Sequence, residues 1–260
     1  MTEFLTSDGV KIKYTSKGSG RALVFIHGWS GNSQDFSLVA RRLSWQFRTV
    51  IYDLRGHGMS GHEGDFTMER LAQDLRELLD YLKIDDFILV GYSLGGQVML
   101  EYLRNNPSPQ GLVFADTSPK IGEDIYTEAE AKNNLQLMET DFYKFYRSFL
   151  SRMLPDENEE DIDKLLDLRK RVLDRNHLPS LVELWQDMNS RDYWQDLEKI
   201  KLPSLILRGE YSFHPLEVAE LMNEKLENSH YMEFEDCTHQ FILEEPILFG
   251  EEITGFAQSI

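Results

Sequence analysis

Apolar residues along this chain fall into two alternating rhythms. His230 to Asp236, with Tyr231, Met232 and Phe234 apolar, reads as a last strand, and short apolar runs occur at Ala22-Leu-Val-Phe-Ile26, Phe47 to Asp53, Asp86-Phe-Ile-Leu-Val90, Gly111 to Asp116 and Pro203 to Gly209. Runs of this kind suit strands buried on both faces. Between them lie stretches with apolar residues at helical spacing: Asp35 to Leu43, then Leu71, Leu75, Leu78, Leu79 and Leu82 behind a capping Thr67, then Pro215 to Leu226 and Pro246 to Ser259. Strands alternating with helices predict an α/β fold, a mostly parallel central sheet flanked by helices. At the amino end, Phe4 to Thr15 predicts a hairpin turning at Asp8-Gly9. Lys17-Gly-Ser-Gly20 is a second turn, without the third glycine and following helix of a phosphate loop. Pro107 is expected to stop the helix before it.

The rhythm changes from Ser118 to Lys199, where helices rich in acids, leucine and aromatics follow one another, broken at Pro155 and around Pro179. The division expected is a core domain of residues 1–117 and 200–260, with 118–199 inserted as a helical cap. Phe142, Tyr143, Phe145, Tyr146, Phe149, Trp185 and Trp194 supply its apolar content. Most of these are expected in the cap's own core, because helices bury their apolar stripe first.

Composition narrows the function. A net charge of -18 over 260 residues argues against nucleic acid and anionic membranes as partners, since phosphate contacts need clustered Lys and Arg. Cys237 is the single cysteine, which removes internal disulfides and cysteine zinc clusters. The amino end lacks the basic and apolar regions of a signal peptide, and no run approaches the ~18 apolar residues of a membrane span. A soluble cytoplasmic protein is expected.

The chemistry centres on Gly91-Tyr-Ser93-Leu-Gly95, which joins a strand to a helix. Glycines flanking a serine at such a junction allow a turn tight enough to hold its hydroxyl out above the sheet edge. The backbone N–H of Leu94, at the start of the helix, is one candidate oxyanion donor, and that of Trp29, after Ile26-His27-Gly28, is the other. The Trp29 indole would wall the pocket. Ser60 also lies among glycines, in Leu54-Arg-Gly-His57-Gly-Met-Ser60-Gly, but between loops, so that segment reads as a structural crossover.

These separated signals, with the insertion and a late His239, resemble the α/β-hydrolase family over nearly the whole length and in the family's order. The resemblance implies Ser93 as nucleophile and His239 as its general base. Of the other histidines, His27 and His57 read as structural, His62, His177 and His230 as solvated, and His214 as a loop residue of open role. The chain departs from the common family pattern in its acid: where many relatives carry Gly-Glu-x-Asp, it has Gly209-Glu-Tyr-Ser212, and a neutral hydroxyl does not balance an imidazolium. Some members take the acid from the end of the preceding strand instead, which here is Asp116. Glu210 ranks second and Asp236 third. The implied function is a serine hydrolase acting on a small molecule, cleaving an ester, thioester or lactone with no metal or organic cofactor. Two alternatives stay open at this point: a cofactor-independent dioxygenase of the same fold, and a non-catalytic receptor or scaffold keeping the pocket. The oligomeric state is not encoded in any motif.

Overall fold

The computed structural model describes residues 1–106, 108–155 and 157–260, without the side chains of Glu123 and Asp124. Eight strands form one sheet: β1 (Thr2–Leu5), β2 (Lys11–Lys17), β3 (Ala22–Ile26), β4 (Arg48–Tyr52), β5 (Phe87–Tyr92), β6 (Gly111–Ala115), β7 (Ser204–Tyr211) and β8 (Ser229–Thr238). Their spatial order is β1-β2-β4-β3-β5-β6-β7-β8. The β1–β2 hairpin and the β2–β4 pairing are antiparallel, and every pairing from β4 to β8 is parallel. Gly9 turns the hairpin with φ +87°, a conformation that side chains disfavour.

Two helical layers cover the sheet. On one face lie α1 (Ser37–Leu43), preceded by a 3₁₀ turn at Ser33–Phe36, and the carboxyl-terminal helix. Phe36, Val39, Leu43, Phe249 and Ile253 pack there on Phe25, Val90 and Leu207. The other face takes α2 (Met68–Leu82) and α3 (Leu94–Asn105), whose Leu71, Leu75, Val98 and Met99 join the larger core with Val24 and Leu89. The helix expected to stop at Pro107 ends at Asn105, with Asn106 extended; Pro107 itself lies outside the described residues.

All regular structure between β6 and β7 is helical: α4 (Gly122–Ile125), α5 (Glu128–Thr140), α6 (Phe142–Met153), α7 (Glu159–Leu173), α8 (Leu178–Asn189) and α9 (Trp194–Leu197). Pro179 sits in the first turn of α8, where its missing N–H costs nothing, so it opens a helix rather than breaking one. After β7 come α10 (Leu216–Lys225), and after β8 α11 (Phe241–Glu244) and α12 (Pro246–Ser259). Among the described residues no helix is long and apolar enough to cross a membrane.

The segment around Arg55 ties these parts together. Its fully buried guanidinium donates to both carboxylate oxygens of Asp74 on α2, at 2.6 and 2.8 Å, and to Asp8 in the hairpin turn at 2.9 Å. Asp74 is shared with Arg70, so removing Arg55 would loosen both α2 and the hairpin turn. Ser60 belongs to the same framework: its hydroxyl donates to the Asp53 carbonyl and accepts the Lys13 N–H, at 2.6 and 2.9 Å.

Candidate active site

Sheet register places the site. Tyr92 pairs with Ala115 and Ala115 with Leu207, so Ser93 and Asp116 are the next residues at the carboxyl ends of adjacent strands. Ser93 N–H donates to the Ala115 carbonyl at 2.9 Å, and the Thr117 hydroxyl returns a bond to the Ser93 carbonyl at 2.6 Å. The serine backbone is held at φ 52°, ψ −117°, a strained conformation for any residue with a side chain. The turn leaves no room at its flanks: a Cβ on Gly91 would collide with the Gly95 carbonyl, and one on Gly95 with the carbonyl of Ile26 on the neighbouring strand. Backbone cannot move aside as a side chain would, so both positions demand glycine.

His239 follows β8 and is buried. Ring packing against Tyr92 and Phe213 holds it, with centroids at 5.0 and 4.6 Å, and its carbonyl accepts the Tyr92 hydroxyl at 3.0 Å. Asp116 Oδ1 lies 3.5 Å from His239 Nδ1. The same oxygen accepts the Ser212 hydroxyl at 2.7 Å and lies 3.4 Å from His214 Nδ1, while Oδ2 accepts the Gly209 N–H at 3.3 Å. The imidazole contacts are long for hydrogen bonds, and such contacts shorten when a reacting group is bound. Burial pushes the Asp116 carboxyl up, but its interactions with His239, His214 and Ser212 more than offset this and hold the group below the ordinary range. The other two carboxylates weighed for this position lie elsewhere. Glu210 and Asp236 are both exposed, and Glu210 Oε2 accepts the Asp236 N–H at 2.9 Å.

The loop after β3 is fixed by two buried histidines. His27 Nδ1 contacts the Gly28 carbonyl at 2.8 Å and its Nε2 accepts the Leu54 N–H at 3.0 Å; His57 Nδ1 contacts the Arg55 carbonyl at 3.0 Å and its Nε2 accepts the Ser30 N–H at 3.3 Å. The Gly31 N–H is likewise taken, by the Gly28 carbonyl. Trp29 lies between these occupied positions. Its indole N–H donates to the Leu181 carbonyl at 3.0 Å, and its ring packs on Phe145 and Trp185, joining the loop to the helical insertion.

Ser93, His239 and Trp29 line one chamber with a cavity volume of about 30 Å³. Tyr126, Tyr146, Phe149, Trp185 and Met188 from the insertion enclose it, with Phe213 and His214 from the loop after β7. Of the seven aromatics singled out in the insertion, Tyr146, Phe149 and Trp185 reach this lining, and Phe142 and Phe145 are buried in the core.

His214, which the sequence left without a role, lies beside Asp116. Burial pushes its imidazole down to about 3, against the pull of Asp116, and burial together with His27 does the same to His57. An unfolded imidazole takes its proton near pH 6.5. Between about 3 and 6.5 the unfolded chain therefore binds more protons, so the stability due to these neutral histidines is complete above about pH 6.5 and is lost as pH falls toward 3. Thermal melts from pH 7 to 4 are expected to show a falling Tm, with a shallower slope in His57→Gln. An unchanged slope would place the titration on other groups.

Asp116, His214 and His239 also offer one ligand atom each within 4.8 Å of one another, the group with metal-ligand spacing among the described residues. The carboxylate is already served by hydrogen-bond donors, and a cation would consume the Nδ1 atoms that face it. Dialysis against a chelator is expected to leave ester hydrolysis unchanged. Loss of activity restored by zinc would reassign the three side chains as ligands.

Residues 21–158 match the sequence model of the alpha/beta hydrolase fold family. The chain belongs to the α/β-hydrolase family. Along almost its full length it is similar to a pimeloyl-[acyl-carrier protein] methyl ester esterase of Nitrosospira multiformis, 27% identical over 96% of this chain and 99% of the relative. A proline iminopeptidase of Saccharolobus solfataricus is 25% identical over 95% of this chain and 88% of the relative. Among solved structures, an esterase from Exiguobacterium antarcticum superposes with a TM-score of 0.89 at 25% identity, covering 99% of both chains.

Proposed function

We infer that this α/β-hydrolase is a serine hydrolase cleaving a small ester, thioester or lactone through an acyl-enzyme on Ser93. The observation that carries this is Ser93 on its strained strand-to-helix turn, sharing a chamber with His239 whose Nδ1 faces the Asp116 carboxylate at 3.5 Å. Relatives and a structural neighbour that are esterases support the reaction class. Ser93 Oγ attacks the carbonyl carbon while His239 Nε2 takes its proton; the backbone N–H groups of Trp29 and Leu94 hold the oxyanion. The imidazolium returns its proton to the leaving alcohol or thiol. Water, deprotonated by His239, then releases the acid and restores Ser93. Asp116 is the positioning residue, keeping the Nδ1 proton in place and balancing the imidazolium.

Residues 118–199 act as the cap of this site, over a core of residues 1–117 and 200–260. The receptor reading rested on the neutral hydroxyl at Ser212, and a carboxylate beside the same histidine removes that support. The dioxygenase would share the early acid, but esterases among the relatives and solved structures favour hydrolysis. Treatment with a fluorophosphonate, followed by intact and peptide mass spectrometry, is expected to place one label on Ser93. Label on another residue, or turnover of p-nitrophenyl acetate without any label, would overturn the assignment.

A further inference from the structure

Resting on the serine-hydrolase reading, we propose that Arg169 binds a carboxylate carried by the substrate, so that the preferred substrates are half-esters of dicarboxylic acids. Arg169 lies on α7 in a basic run, Arg169-Lys-Arg171. Its neighbours behave as surface residues: Lys170 pairs with Asp167, and Arg171 is exposed. Arg169 instead turns inward and lines the same chamber as Ser93, its side chain 21% exposed.

The guanidinium is only partly used there, by the Tyr146 side chain. Its Nε is buried without a hydrogen-bond partner, and the carboxylate facing it, Asp35, stands 3.8 Å from Nη1, beyond hydrogen-bond reach. Asp35 has its own task, since its Oδ2 accepts the Asn32 N–H at 3.2 Å in the cap of the 3₁₀ turn. Asp35 approaches through Nη1, which leaves Nε as the donor for a second acceptor. A buried charged donor without a partner is costly, and each such group calls for an explanation. The planar fork of arginine matches a carboxylate with two parallel N–H···O bonds.

The surroundings define the ligand further. A phosphate dianion would face Asp35 with twice the repulsion, so a carboxylate monoanion is the better match. Ile121, Phe149, Met153, Trp185 and Met188 supply apolar lining suited to a methylene chain between the carboxylate and the reacting carbonyl. Binding energy gained at the remote carboxylate then positions the ester at Ser93.

The test uses monomethyl half-esters of dicarboxylic acids with three to five methylenes, each against the neutral methyl alkanoate of matching length, with products quantified by chromatography. Wild type is expected to favour the half-ester at its best length by about tenfold or more in kcat/KM. In Arg169→Gln that ratio should collapse toward unity, mainly through KM, with Arg169→Lys between the two. Asp35→Asn, which keeps the capping acceptor and removes the competing charge, should raise the ratio. Neutral esters preferred at every length by wild type, or both substrates falling equally in Arg169→Gln with an unchanged ratio in Arg169→Lys and Asp35→Asn, would overturn the inference and leave Arg169 as a tether. Fluorophosphonate labelling of Ser93 in each variant separates the two readings. Full labelling without carboxylate preference removes only the role of Arg169, whereas no labelling removes the hydrolase reading beneath it.

Discussion

Asp116→Asn is expected to lower kcat on ester substrates by on the order of 10³ to 10⁴ with little change in KM, because an amide permits the wrong imidazole tautomer and leaves the imidazolium unbalanced. Glu210→Gln and Asp236→Asn should stay near wild type, since both residues are exposed and the Glu210 carboxylate is taken up by the Asp236 backbone N–H. Ser212 makes the test sharper. Its hydroxyl donates to Asp116 Oδ1 at 2.7 Å, so an aspartate there would set two carboxylates against each other. Ser212→Asp alone should therefore lose activity, while the same change in Asp116→Asn should recover part of the loss by supplying the charge from the other side. Full activity in Asp116→Asn with collapse in Glu210→Gln would show that the wrong carboxylate had been chosen.

Ser93→Ala should lower kcat by roughly 10⁴ to 10⁶ and abolish fluorophosphonate labelling, leaving only what binding and the oxyanion donors supply. The backbone at Ser93 adds a stability readout. Alanine inherits the strain of φ 52°, whereas glycine relieves it, so Ser93→Gly should melt higher than Ser93→Ala, by the equivalent of about 1 kcal/mol. Equal melting temperatures would mean that the turn carries no such strain. Substantial acyl transfer remaining in both variants would move the nucleophile to another side chain.

Much of this was legible in the residues, and the rest was hidden for physical reasons. Strands buried on both faces announce themselves as apolar runs, and the Gly-x-Ser-x-Gly turn carries its steric requirement in its glycines. Asp116 was accessible only through family resemblance, because a strand-ending aspartate before Thr-Ser-Pro reads equally well as a local cap. His214 and Ser212 gave no local signal at all: their meeting with Asp116 depends on how β6 and β7 align. Arg169 was hidden by its neighbours, since a basic run on a helix looks like a solvated face until the packing of α7 decides which member turns in.

The chamber's accessible volume of about 30 Å³ is room for roughly two waters, less than a half-ester with several methylenes needs. Substrate entry therefore needs Tyr146, Phe149 and Trp185 to give way, and with them the joint made by the Trp29 indole and the Leu181 carbonyl. Such a gate works against solvent friction. For well-activated esters kcat/KM should then fall as glycerol thickens the medium, while slow esters, limited by bond chemistry, should be indifferent to viscosity.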